Sequence, residues 1–131
     1  MTETQDVEAV RAANLAFYEA FSSLEIEGMA SVWEQSERAI CVHPGWRALS
    51  GWDAIRESWE NIFNNTALMH FNITGVKVAV QGDVAWVSCV ENITTLLEGK
   101  TMDFAIQTTN VFARTEEGWR ILHHHGSQLP G

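Results

Sequence analysis

Residues 82–99, GDVAWVSCVENITTLLEG, read as one β-strand held between two turn pairs, Gly82-Asp83 and Glu98-Gly99. Three more strand-like runs lie around it, at 69–81, 102–114 and 119–127, the last two parted at Glu117-Gly118. Strands 69–81, 84–96, 102–114 and 119–127 joined by short turns make an antiparallel meander. Upstream the period changes. Val7, Val10, Asn14, Phe17, Phe21 and Leu24 recur at spacings of three and four, one stripe of an amphipathic helix with Asn14 as its polar interruption. A shorter helix is predicted over 26–33, then a strand over 38–43 that Pro44-Gly45 terminates. A third helix follows Ser50-Gly51, with Ile55, Trp59, Ile62 and Phe63 on one face. Helices first and a meander afterwards predict an α+β fold, with the helices packed on one face of a curved, mostly antiparallel sheet. Long strands with apolar residues on both faces ask for cover on the outer face too, and a homodimer is expected to supply it.

The 131 residues suit a single domain, 1–131, and 46% hydrophobic against 19% charged residues provide for one packed core. Acidic residues outnumber basic ones 17 to 8, a formal charge of −9 with histidine neutral. Binding to nucleic acid or to an anionic membrane depends on lysine and arginine, so both are excluded as expected partners. No apolar run approaches the roughly 18 residues of a membrane span, and the start, MTETQDVEAV, carries no export signal. The expectation is a cytoplasmic protein with Cys41 and Cys89 reduced. There is no CxxC, GxGxxG or GxxxxGK[ST], and no cofactor is expected.

Several residues carry chemistry. In Ile40-Cys41-Val42-His43-Pro44-Gly45 a histidine ends a strand just before a forced turn. It reads as a general base at a cavity mouth, or as a structural histidine bonded to a loop carbonyl. In the last strand, simple alternation puts Trp119, Ile121, His123 and His125 on one face and Arg120, Leu122 and His124 on the other. His123 and His125 are then a proton relay or polar lining; a metal held by His43, His123 and His125 is the weaker option, with no fourth ligand in view. Glu91 shares the register of Ala85, Val87 and Cys89. It lies either on the inner face, where burial raises its pKa, or beyond cover in solvent, because one residue of slip reverses the face. Asn110 sits mid-strand, where asparagine is depleted, and can polarise a carbonyl or mark a bulge. Trp46 and Trp52 follow His43 and are placed to rim a pocket for a flat apolar ligand, whereas Trp86 falls on the face opposite Glu91 and suits a dimer surface.

Taken in order, Ala16-Phe17-Tyr18-Glu19-Ala20-Phe21, Ile26-Glu27-Gly28-Met29, Val42-His43-Pro44-Gly45, Gly51-Trp52-Asp53-Ala54-Ile55 and the run from Gly118 to Ser127 resemble the nuclear transport factor 2-like superfamily. The resemblance covers nearly the whole chain and is strongest to SnoaL-like and ketosteroid-isomerase-like members. The last strand also resembles the association domain of calmodulin-dependent kinase II, a non-catalytic assembly module. The superfamily implies a cone-shaped α+β barrel around a deep apolar pocket, usually dimeric. Carried over from ketosteroid isomerase, the base position falls on His43, before Pro44, and one oxyanion position on Asn110, eight residues before Gly118. The helix register puts the oxyanion tyrosine's place on Phe17, with Tyr18 facing elsewhere, so steroid isomerisation itself is disfavoured. The resemblance implies a small-molecule pocket protein, a cofactor-independent isomerase, cyclase or lyase acting on an apolar carbonyl compound. His43 would be the base, Asn110 would polarise the carbonyl, and His125 with His123 and Glu91 would complete the proton network. Phe17, Trp46, Trp52 and Trp59 would contact the ligand. The alternative is a non-catalytic dimeric binding or assembly module.

Overall fold

A computed structural model describes residues 2–130. The element order is α1 (Glu3–Ser23), α2 (Ile26–Val32), β1 (Ile40–Val42), β2 (Leu49–Ser50), α3 (Trp52–Asn64), β3 (Met69–Gln81), β4 (Val84–Leu97), β5 (Lys100–Thr115) and β6 (Gly118–Gln128). Thr2 opens α1 through a reciprocal capping box with Gln5, which occupies two of the amide groups a helix start leaves free. The expected strand over 38–43 shrinks to three residues, which run parallel to β6 and pair Ile40, Cys41 and Val42 with His123, His124 and His125.

The strands form one six-stranded sheet in the order β2-β1-β6-β5-β4-β3, antiparallel except at β1–β6. The edge strands β2 and β3 do not meet, so the ring of strands is open and the helices complete a cone. Two irregularities bend the sheet: one between Thr74 and Lys77 in β3, the other where Val111 pairs with His123 and Phe112 with Ile121. The second leaves Leu122 as an extra residue. A bulge of this kind increases twist and also resets which side chains point inward.

The inner face and the helices bury one aromatic-rich core. Phe17, Trp33, Trp59, Met29, Ile55, Phe112 and Ile121 are all buried, and the Phe17 and Phe21 rings meet Trp59 edge-on at 6.0 and 4.7 Å between centroids. Each such side chain contributes about 1.5–3 kcal/mol relative to exposure. Gly126 marks where β6 passes closest to its neighbours: a Cβ there would come within 2.7 Å of Ile106 Cγ2 and 3.4 Å of Pro44 Cγ. Gly126→Ala is therefore expected to cost about 1–3 kcal/mol in urea unfolding through overpacking; an unchanged midpoint would mean that Ile106 yields freely.

Candidate functional site

The site grows from four elements. β1 ends at Val42 and the chain turns at once, with the Trp46 amide donating to the His43 carbonyl at 2.9 Å. This pins the His43 ring against α3, where Nε2 lies 2.9 Å from Ser58 Oγ. The Ser58 hydroxyl spends its only proton on the Ile55 carbonyl at 2.6 Å. His43 must therefore donate from Nε2, which leaves Nδ1 as the acceptor nitrogen, with the Cys41 thiol 3.9 Å away as its one long protein contact. Burial lowers its pKa to about 4, so the ring is neutral.

A connected polar chain crosses the core behind this histidine. Glu91, on the inner face of β4 and 3% exposed, accepts a 2.5 Å hydrogen bond from the Tyr18 hydroxyl of α1. The same hydroxyl lies 3.6 Å from Cys89 Sγ. Asn110 Nδ2 donates to Tyr18 at 3.1 Å and to Asn14 Oδ1 at 2.9 Å, and Asn110 Oδ1 lies 2.6 Å from His124 Nδ1. With both amide hydrogens of Asn110 spoken for, its oxygen must accept from His124, so Nδ1 carries the proton and Nε2 is the free lone pair. Burial, reinforced by the neighbouring His43, lowers His124 to about 3. Glu91 moves the other way, raised to about 7 by burial and held back by the Tyr18 hydrogen bond. The Thr108 hydroxyl pulls it in the same downward direction, yet its geometry falls short of a hydrogen bond and leaves it without a partner. Tyr18 itself is raised well above the ordinary phenol range, chiefly by burial and next by the Glu91 charge.

His43, Glu91 and His124 line one cavity of about 290 Å³, against Phe21, Ile93 and Ile106, with Trp46 and Gln128 at its rim. A larger depression of about 720 Å³ lies between the turn at Gln35–Glu37 and the start of α3, but among the described residues no buried titratable group lines it. The buried titratable groups His43, Glu91 and His124 line the smaller cavity, while Asn14 and Tyr18 also line a separate depression of about 390 Å³ with Leu15, Ile73 and Val76.

The structure brings some expected residues together and separates others. His43 and Glu91 converge, and Trp46, 48% exposed, stands at the mouth. Phe17 and Trp59 are fully enclosed core residues behind the cavity wall, and Trp52 packs on Trp33 away from it. Asn110 is also fully enclosed, with its hydrogen bonds committed to protein groups, so it is not placed to reach a substrate carbonyl. The expectation for His123 and His125 is corrected: the bulge at Leu122 turns both to the outer face, their rings 6.2 Å apart, and sends His124 inward instead. The His43, His123 and His125 side chains therefore cannot share a metal, and among the described residues no group of three or more His, Cys, Asp or Glu is spaced to hold one. Tyr18 is the second correction. Beside Phe17 on a helix enclosed on two sides, it also points inward, so the phenol expected to face elsewhere is present. No helix of the described residues is long and apolar enough to cross a membrane.

Helices on a curved sheet around a cavity with buried acid–base groups define an α+β cone. The SnoaL-like domain model matches residues 10–130, and the chain belongs to that family, within the NTF2-like fold. A candidate dehydratase of the NTF2-like family from Streptomyces avermitilis is 36% identical, with a TM-score of 0.92 over 99% of this chain and 100% of that one. A candidate calcium/calmodulin-dependent protein kinase type II association domain from Thiobacillus denitrificans is 30% identical, with a TM-score of 0.82 over 92% and 94%. F-box protein SKIP8 of Arabidopsis thaliana is 28% identical over 121 residues; the match takes in 92% of this chain and half of that protein's length.

The shifted groups set a pH dependence of stability. His43 and His124 have folded pKa values below the ordinary 6.5, so their contribution is complete above about 6.5 and is lost as the pH falls towards about 4 and 3. Glu91 opposes them: its contribution is complete below about 4.5 and is lost as the pH rises through about 7. That opposing contribution is roughly 3 kcal/mol. Glu91→Gln removes it, so the variant's stability should climb more steeply than wild type between about pH 4.5 and pH 7 in urea titrations. Parallel profiles would mean that the Glu91 carboxyl is solvated in the native state.

Proposed function

We propose that this chain is a cofactor-independent acid–base enzyme, an isomerase, cyclase or lyase acting on an apolar carbonyl compound. The observation that carries the reading is Glu91: a carboxyl raised to about 7 on the wall of an apolar cavity, with its geometry fixed by Tyr18. A proton-transfer group works best when its pKa lies near the working pH. His43, near 4, is a weak base, so the reading gives proton abstraction to the Glu91 carboxylate and hydrogen-bond acceptance to His43 and His124. Glu91 takes a proton from the carbon next to the ligand carbonyl, and the electron pair of that C–H bond passes into an enolate whose oxygen is directed to the donors at the rim, the Gln128 amide and the Trp46 indole. Return of the proton to another carbon completes an isomerisation, and loss of a β-substituent completes an elimination. The Streptomyces avermitilis relative is named a candidate dehydratase, in keeping with the elimination route. Asn110 is then a positioning residue that holds the His124 tautomer and the Tyr18 hydroxyl. The same reading takes the cytoplasm as the compartment, in keeping with two unpaired cysteines.

Hydrogen–deuterium exchange at the α-carbons of 6-hydroxy-2-tetralone, a neutral two-ring ketone that carries a hydroxyl donor, tests the abstraction step by NMR. Wild type should accelerate exchange, with a rate that rises with pH through about 7. Glu91→Gln should lower it by about 10²–10⁴-fold. A loss of less than twofold in that variant would remove Glu91 from the role.

A second reading, a dimeric binding or assembly module, draws on the association-domain and F-box relatives. Its physical basis is the outer sheet face, where Trp86 is 43% exposed beside its cross-strand neighbour Val111. Homodimerisation through that face is compatible with either function. Wild type is expected to sediment as a dimer at micromolar concentration and Trp86→Glu as a monomer; a monomeric wild type would refute the interface.

A further inference from the structure

The hydrogen bonds to oxygen that fix the two cavity histidines use the nitrogen that carries the proton; the one further polar contact is the Cys41 thiol, 3.6 Å from His43 Nε2 and 3.9 Å from Nδ1. Ser58 takes the Nε2 hydrogen of His43, and Asn110 takes the Nδ1 hydrogen of His124. The opposite nitrogens, Nδ1 of His43 and Nε2 of His124, are left as acceptors on rings that line the same cavity. Glu91 adds a third acceptor when ionised, and its only strong donor is Tyr18, which lies behind it. Among the described residues that line the cavity none is a lysine or arginine. Donors are confined to the rim, in the Gln128 amide and the half-exposed Trp46 indole. A wall of buried side chains that offers lone pairs and no cation is best satisfied by a ligand that brings its own hydrogens.

We infer that the cavity selects an uncharged, compact apolar ligand bearing at least one hydroxyl group, and discriminates against the acceptor-only ether and the carboxylate of the same shape. This rests on the cavity being the ligand site, as proposed above, and names the class of ligand that site takes. The groups that face the Glu91 carboxyl belong to every surrounding element: Tyr18 from α1, Cys89 from β4, Thr108 from β5, with Cys41 of β1, His43 at its end and His124 of β6 across the cavity. None of them is a cation at neutral pH, since burial keeps both imidazoles neutral and both thiols protonated. A ligand carboxylate entering here would lose its hydration without gaining an ion pair and would face the Glu91 charge. A ligand hydroxyl donates to an imidazole and loses nothing. The volume, about 290 Å³, is at the small end for ligand sites and suits one or two fused rings.

Three probes of one shape separate these effects in wild-type protein: 2-naphthol, 2-methoxynaphthalene and 2-naphthoate, titrated at about pH 8 by calorimetry or tryptophan quenching. The expected order is naphthol tightest, the methyl ether about tenfold weaker for want of a donor, and naphthoate weaker again. In Glu91→Gln the penalty on naphthoate should shrink, while naphthol keeps its advantage over the ether because the histidines are unchanged. Equal affinity for naphthol and the ether would overturn the acceptor argument, and naphthoate binding as tightly as naphthol would overturn the charge argument. Failure of all three to bind would overturn the inference together with the cavity as a ligand site. The predicted order without any exchange of 6-hydroxy-2-tetralone would uphold the inference and remove catalysis alone.

Discussion

The interaction on which the site depends is the contact of the Tyr18 hydroxyl with the Glu91 carboxyl. It joins the first helix to the middle of the sheet across the interior of the cone. A carboxyl taken out of water is destabilising unless something hydrogen-bonds it. Tyr18 does so, and that commits its only proton. The consequence passes along the chain by simple exclusion. Tyr18 oxygen can then only accept from Asn110, Asn110 must present its oxygen to His124, and His124 must hold its proton on Nδ1. One hydrogen bond near α1 thus fixes the tautomer of a histidine on β6, three strands from β3 and beside β1.

The same geometry separates the acid–base properties of groups that share one cavity. Desolvation acts on all three titratable side chains, but it disfavours the charged form, so it drives the carboxyl up and the imidazoles down. The three groups therefore all tend towards neutrality near pH 7, and Glu91 alone titrates there. Charge repulsion is kept low without a counter-ion, which is how an acidic chain with −9 formal charge can hold a carboxyl inside. With no lysine or arginine among its described lining residues, the cavity offers a ligand hydrogen-bond acceptors and no ion pair.

The fold was largely legible in the sequence because its elements carry clean periods. Alternation over 84–96 put Ala85, Val87, Cys89 and Glu91 on one face, and β4 buries those side chains. The three-and-four spacing from Val10 to Phe21 located the buried stripe of α1. The site was legible only in part, because it depends on departures from those periods. Alternation carried through Leu122 assigns His123 and His125 inward; a single inserted residue reverses both and substitutes His124. Nothing in the composition of Arg120-Ile121-Leu122-His123 announces the bulge, since it is imposed by the joint pairing of β6 with β5 and with β1. Tyr18 escaped for a related reason. A stripe of fixed width predicts one buried face, but α1 is wedged between the sheet and the other helices, so adjacent residues Phe17 and Tyr18 are both enclosed.

A core shaped by packing alone has no use for such a chain. Asn14, Tyr18, Glu91, Asn110 and His124 lie buried in mutual contact, where apolar residues of similar volume would satisfy the same space without desolvating a carboxyl or fixing an imidazole. Their cooperative arrangement lowers the cost of keeping them inside but does not remove it. Two features distinguish this chain from structural polar ballast. Its two ends, Glu91 and His124, both emerge on the cavity wall, whereas its middle members do not. And at the His124 end the hydrogen bond to Asn110 holds the proton on Nδ1 and leaves Nε2 as a free acceptor on a ring that lines the cavity. That polarity is what the proposed site needs in order to receive a hydroxyl-bearing ligand and exchange a proton with it.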